Sequence, residues 1–396
     1  MRVVVGVVSA VCVGMLLLLA GCPAPVEKRG LMEVGRSRSM DLSRMLDPGA
    51  QDMTSWTELT PAVTRSLEYV RVFPPQKAAL VAEELTVTWG ELAESLERLL
   101  AMLPRLDEDP DLLARSFTWY ELRPGPLFTG YYEPLVPASL EPDPEYPHPI
   151  YGLPEDLKQA DLGDFHPRWQ GQRLLYRVQD GEIVPYFERS EIDGEGALHG
   201  QGLEVAWARD LVDVFFLQIQ GSGRLLLPDG SMQRIQYAGK NGRQYVSLGR
   251  ILVERGHLPA DGVSMQAIRK VLAEHPEEMA ELLHTNPSYV FFRLEQDGPY
   301  GAMGKVVTPM VSLATDPKVL PLGALTVVDL GLPVQGSPDR LPFVGIGLPQ
   351  DTGGAITGHR VDLFCGSGPR AEHLAGHLQD RGKIFVLLPH HQNTKP

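Results

Sequence analysis

Arg360-Val361-Asp362-Leu363-Phe364 closes a β-like run that begins at Ala355. Strand alternation puts Val361 and Leu363 on one face and Asp362 on the other. A carboxylate held in a half-apolar cleft keeps its proton more tightly, which suits a general acid working near neutrality. Burying such a group without purpose would be expensive. Two more aspartates stand in turns nearby: Asp351 in Gln350-Asp351-Thr352-Gly353-Gly354 and Asp316 in Ala314-Thr315-Asp316-Pro317. Capping a turn is what most Asp-Gly and Asp-Pro neighbours do, and that role stands open for Asp316. At Asp351 the following Gly-Gly pair also lets backbone or ligand approach closely.

Working outward, short β-like runs bounded by Gly, Pro and Asp fill the chain from Leu127 onward. They include Leu174 to Val178, Ile183 to Phe187, Leu203 to Trp207, Val214 to Gln220 and Arg224 to Leu227. Tyr289 to Leu294, Leu325 to Leu330, Phe343 to Gly347 and Ile384 to Leu388 continue the pattern. Helical patterns interrupt it at Tyr245 to Glu254, from Ser264 to about Leu283 with a break near Pro276, and at Pro369 to Asp380. Before Leu127 the chain reads as helical. Thr88-Trp89-Gly90-Glu91 fits a capping box, Leu92, Leu96, Leu99, Leu100 and Leu103 mark one helix face, and Pro104 is expected to stop the helix. The expected architecture is mainly β with a helical N-terminal part: a small closed barrel and a second β-rich domain.

The 396 residues suit two domains plus an export segment. Hydrophobic and charged fractions of 43% and 22% are those of a globular protein. A net charge of −14 argues against a nucleic-acid partner. It also means that an anionic substrate would need a local basic cleft. Arg2 followed by an apolar run from Val3 to Ala20 could just span a bilayer. The basic start and small-residue end read better as a cleaved export signal. With Cys12 leaving in that signal and Cys22 at its end, Cys365 has no partner for a disulfide and reads as a buried spectator. The eleven histidines are scattered, so no metal and no cofactor is expected.

Leu19-Ala20-Gly21-Cys22 resembles a bacterial lipoprotein box, which implies lipidation of Cys22 and, with Pro23 rather than Asp next, sorting to the periplasmic face of the outer membrane. Phe128-Thr129-Gly130-Tyr131-Tyr132-Glu133-Pro134 resembles the entry motif of the membrane-bound lytic murein transglycosylase A family. So do Val214 to Gly223, Tyr237-Ala238-Gly239-Lys240-Asn241-Gly242, Asn286 to Phe292 and Gly301-Ala302-Met303-Gly304, in the same order. The C-terminal aspartate block is similar to that family's 3D domain.

The resemblance implies a double-psi β-barrel with a second β-rich domain inserted and a groove between them. The expected boundaries are a signal peptide over 1–21 and a lipidated N-terminus and tether over 22–54. The barrel takes 55–132 plus 286–390, with the 3D domain at 306–390, and the insert 133–285. Peptidoglycan glycan strands are the implied partner, and a lyase reaction yielding a 1,6-anhydro end the implied activity. By motif position Asp362 is the acid and then base, Asp351 its supporting companion and Asp316 the structural third. Tyr131, Tyr132, Gln218, Gln220, Ser222 and Tyr237 are the implied sugar contacts. Two other readings stay open on the residues: a lipoprotein that binds peptidoglycan without cutting it, and a peptidase built on Asp351-Thr352-Gly353, which would need a second such loop.

Overall fold

The computed structural model describes residues 30–82 and 85–390; the export segment and Cys22 lie outside them. The chain opens with β1 (Gly30–Glu33), α1 (Arg36–Met45), α2 (Thr60–Val70), β2 (Ala78–Val81), β3 (Thr86–Thr88), α3 (Trp89–Leu106) and α4 (Asp111–Ser116). Next come β4 (Phe117–Arg123), β5 (Leu127–Glu133), β6 (Leu135–Ser139), β7 (His148–Tyr151), β8 (Lys158–Asp161), β9 (Arg173–Gln179), β10 (Glu182–Pro185) and β11 (Glu204–Ala208). Helix α5 (Leu211–Gln220) leads into β12 (Ser222–Leu226) and β13 (Met232–Lys240). After α6 (Leu248–Glu254), α7 (Met265–Glu274) and α8 (Met279–His284) comes β14 (Val290–Glu295). The last third holds β15 (Ser312–Ala314), β16 (Thr326–Pro333), β17 (Arg340–Asp351), β18 (Arg360–Ser367), α9 (Pro369–His377), β19 (Gln379–Arg381) and β20 (Lys383–Pro389).

Two large sheets organise most of these strands, while β8 to β10 and the pair β2–β3 form two small ones. A nine-stranded sheet runs β1-β4-β20-β16-β17-β15-β18-β5-β19, and a six-stranded one runs β14-β13-β12-β6-β11-β7. The long strand β5 belongs to the first sheet, and β6 enters the second after a single residue, Pro134. Glu133, only 3% exposed, is held there by Arg224 and Arg234 of the second sheet at 3.1 and 2.8 Å. The leucines of α3 pack into the larger core, where Leu92, Leu96, Leu99 and Leu103 are fully buried. The predicted cap is present: Glu91 N donates to Thr88 Oγ1, and Thr88 N donates back to Glu91 Oε2.

Four expectations need correction. Pro104 does not stop α3, which runs to Leu106: the proline forgoes only one ladder bond, and buried Leu103 and Leu106 hold the last turn on the core. The supposed tether over 22–54 is folded from Gly30 on. Gln51 in particular is 2% exposed, donates to the carbonyls of Met310 and Ile346, and accepts from Ile346 N. Leu31, Leu42 and Leu46 of this segment are buried in the larger core as well, but a short stretch without periodicity gave no sign of either anchor. The insert's sheet also continues past the expected boundary at 285, since β14 pairs with β13.

The fourth correction concerns Val214 to Gln220, which form the end of helix α5 rather than a strand. Asp210 caps its start by accepting from Val212 N at 2.7 Å. Gly221, at φ +78°, closes it in a left-handed turn that glycine adopts without penalty. Residues Val214 to Gln218 are all buried, so no polar face marks the helical period.

Candidate active site

Strand β15 is three residues long and lies between β17 and β18. Its Ala314 is the register partner of Asp351 on one side and of Asp362 on the other. Two carboxylates separated by one strand have Cα atoms roughly 10 Å apart. A bulge in the β15–β17 ladder sets this register. Gln350 turns inward there, donating to Ala62 O and Ser66 Oγ of α2, which fixes the base of Asp351. Gly301 is required beside it, because a Cβ there would lie 2.6 Å from Gln350 O.

The two aspartates differ in their partners. Asp351 is fully engaged: Ala302 N and Thr352 N donate to Oδ1 at 2.8 Å each, and Tyr131 Oη donates to Oδ2 at 2.9 Å. Asp362 accepts one bond of normal length, 2.6 Å from Thr129 Oγ1 to Oδ1, from its register partner on β5. Oδ2 accepts none from the described residues. As predicted, Val361 and Leu363 lie in the core while Asp362 faces the cleft.

Burial raises Asp362 above its ordinary range, opposed by Thr129 and by the charge of Arg360. Burial likewise pushes Asp351 up to about 6, against its three donors, with the Asp362 charge a smaller contributor. Tyr131 is raised well above 10, by burial first and then by Asp351. Burial raises the Cys365 thiol too, and the residue packs among the core residues.

Asp316 is not in the cleft. Lys318 N and Gly358 N donate to its two oxygens at 3.0 and 2.8 Å, tying the turn after β15 to the loop that joins β17 to β18. That loop carries the chain from Asp351 to Asp362. Asp316→Ala is expected to cost about 1–3 kcal/mol, read as a lower denaturant midpoint; an unchanged midpoint would mean the tie carries no stability.

A cleft of about 1140 Å³ runs over the two aspartates. Tyr131, Tyr300, Asp351, Arg360 and Asp362 line one side; Gln218, Gln220, Ser222, Tyr237 and Tyr245 line the other. Lys240 and Arg243 line it too, a local source of positive charge on a strongly acidic chain, whereas Arg293 is paired with Glu295 at 2.6 Å. Tyr237 presents its ring, 39% exposed.

Tyr132 is a correction: it is 4% exposed, packs in the core with its hydroxyl toward Met265 sulfur, and lines no part of the cleft. Strand alternation sends Tyr131 and Tyr132 to opposite faces. Tyr131 itself leans on Phe364 and spends its hydroxyl on Asp351.

Sequence reasoning missed Thr129, Arg360 and Arg189. Arg360, two residues before Asp362 on the same strand, could have been found by strand parity, whereas Thr129 needed the pairing of β5 with β18. Arg189 had no local signal.

A family model described as the MltA specific insert domain matches residues 127–293, and a 3D domain model matches 311–388. The membrane-bound lytic murein transglycosylase from Agrobacterium tumefaciens superposes with a TM-score of 0.75 at 32% identity, covering 91% of this chain and 98% of that one. This chain belongs to the membrane-bound lytic murein transglycosylase A family. The family member from Vibrio cholerae is 35% identical over 265 residues, 66% of this chain and 65% of that protein. The one from Escherichia coli K12 is 33% identical over 264 residues, again 66% and 65%. The match therefore spans just under two thirds of the curated relatives' length. No helix among the described residues is long and apolar enough to cross a membrane.

Proposed function

We propose that this protein cuts peptidoglycan between N-acetylmuramic acid and N-acetylglucosamine without water, leaving a 1,6-anhydro end, with Asp362 as acid and then base. The observation that carries this reading is the contrast between the two carboxylates. Burial raises both, Asp351 to about 6, but three donors occupy the oxygens of Asp351, whereas Asp362 has one donor and, among the described residues, an oxygen with none, left to meet the substrate. Protonated Asp362 gives its proton to the bridging oxygen as the bond from that oxygen to C1 of the muramic acid breaks. The resulting carboxylate takes the proton of the same sugar's 6-hydroxyl, whose oxygen closes onto C1. Protons and bonds balance, and no second nucleophile is needed. A tethered hydroxyl competes well with water, since oriented internal reactions reach effective molarities of roughly 10⁵–10⁸ M.

In this reading the glycan lies along the cleft against Gln218, Gln220, Ser222 and the Tyr237 ring. Lys240 and Arg243 meet the carboxylates of its peptide arms. Asp316 acts at a distance, by fixing the loop between the two carboxylates. We read the nine-stranded sheet as the double-psi barrel of the resemblance. Its parallel pairs β15–β17 and β5–β18, and the bond from Gly331 N of β16 to Asp380 of β19, support that closure. We also read Cys22 as the lipid attachment that holds the enzyme at the outer membrane.

The deciding experiment is mass spectrometry of glycan ends released from purified sacculi. Ends lighter by one water support the reading; fully hydrated ends would make the protein a hydrolase instead. Failure to cut, with binding retained, would leave a peptidoglycan-binding lipoprotein. Pepstatin-sensitive proteolysis would favour the Asp351-Thr352-Gly353 alternative.

Asp351→Asn should lower turnover by about ten- to a hundredfold, less than loss of Asp362, because an amide can still receive Ala302 N and Thr352 N while donating to Tyr131. Stability gives an independent check. Asp351 is raised from its ordinary value to about 6 in the folded state. Between about pH 4 and 6 the native state thus binds the extra proton, and wild-type stability falls as pH rises. Denaturation across that window should show a shallower fall in Asp351→Asn; identical slopes would contradict the assignment.

A further inference from the structure

Arg189 lies at the foot of the insert's cleft wall, and it is 2% exposed. Its Nε donates to Asn286 O at 3.1 Å, Nη1 to Asp193 at 3.3 Å, and Nη2 to Ser288 O at 2.8 Å and to Gln218 Oε1. The guanidinium also stands over the rings of Phe215 and Tyr289, 4.8 and 5.1 Å from their centroids. A guanidinium only donates, so the Gln218 atom that meets it is the oxygen. The amide nitrogen of Gln218 is thereby turned away from Arg189 on a residue that lines the cleft, and it donates to no described residue.

Gln220 repeats the arrangement by another route. Tyr132 N, which also only donates, is 2.9 Å from Gln220 Oε1 and leaves that amide nitrogen free as well. Gln236, which also lines the cleft, behaves differently: the backbone of Tyr300 engages it at both ends, donating to its oxygen at 3.0 Å and accepting from its nitrogen at 2.9 Å. Gln218 and Gln220 are therefore locked as donors, one of them by a buried cation whose desolvation is costly.

We infer that Gln218 and Gln220, their oxygens pinned by Arg189 and by Tyr132 N, recognise the acetamido carbonyl oxygens of N-acetylated sugars. This rests on the glycan-cleaving reading above and names the group by which that glycan is told from others. Sugar hydroxyls donate or accept and would not be discriminated by these two donor amides. A carbonyl oxygen is an obligate acceptor and is matched by it. The ammonium left after N-deacetylation is a donor facing donors, and is rejected. Carboxylates have better partners in Lys240 and Arg243 along the same wall.

The test uses the full chain carrying Gln218→Glu or Gln220→Glu, each in an Asp362→Asn background so that no bond is cut. Glutamate keeps an oxygen toward Arg189 or Tyr132 N and replaces the donor with an acceptor. Binding of hexameric N-acetylglucosamine and of hexameric glucosamine is measured by calorimetry. The parent should prefer the N-acetylated oligomer by at least about tenfold, the value of one well-placed hydrogen bond. Gln218→Glu should lose most of that preference by weakening the N-acetylated ligand alone. It should melt no lower than the parent, because its carboxylate now pairs with Arg189.

An unchanged preference in both variants, equal weakening of both oligomers, or a lower melting point for Gln218→Glu would each overturn the inference. Sacculus turnover by the wild-type chain is scored separately. Absence of anhydro ends would defeat the function reading, whereas normal release with an unaltered N-acetyl preference in the variants would defeat this inference alone.

Discussion

Asp362→Asn should reduce release of anhydro-ended fragments from sacculi by about 10²–10⁴-fold, the contribution of a positioned acid–base group. The substitution preserves shape. Thr129 Oγ1 can donate to the amide oxygen as it does to Oδ1, and Val361 and Leu363 keep the strand in the core. What vanishes is the proton, and with it both halves of the proposed cycle. The fold should not suffer. A carboxylate raised by burial weakens the native state at neutral pH, so the asparagine variant should be at least as stable there. A near-normal rate would remove Asp362 from the chemistry. A large rate loss accompanied by lower stability would leave the acid role unproven, and a rate loss in a stable protein is the expected result.

Arg189→Ala should be strongly destabilising, by about 3–5 kcal/mol. The cost has three physical sources. Asp193, already raised mainly by burial, loses the cation that opposes that rise. The carbonyls of Asn286 and Ser288 and the Gln218 oxygen lose their donor, and the space between Phe215 and Tyr289 empties. Adding Asp193→Asn to Arg189→Ala should recover part of the loss, because it neutralises the stranded carboxylate. Equal stability of wild type and Arg189→Ala in chemical denaturation would refute the account, and non-additivity of the pair is the signature of direct coupling.

Much of the site was legible before any fold was known. Period-two alternation around Asp362 predicted its side of the strand. The same parity, applied to Tyr131 and Tyr132, would have separated the cleft tyrosine from the core one. Helix α5 was misread because burial on nearly every side erased its amphipathic period, although Asp210 and Gly221 had already marked its ends. Gln51 and Arg189 were invisible for a different reason: their partners are hundreds and tens of residues away, and a lone polar residue carries no period.

By itself, then, the chain's local chemistry determined which segments alternate, where turns must fall, and which aspartates occupy unusual settings. Tertiary structure alone decided which of those aspartates share a cleft, since a three-residue strand and one bulge bring Asp351 and Asp362 to the same level. It alone decided which amide ends face the cleft as well, because hydrogen-bond polarity depends on a partner, and partners are chosen by packing across distant parts of the chain.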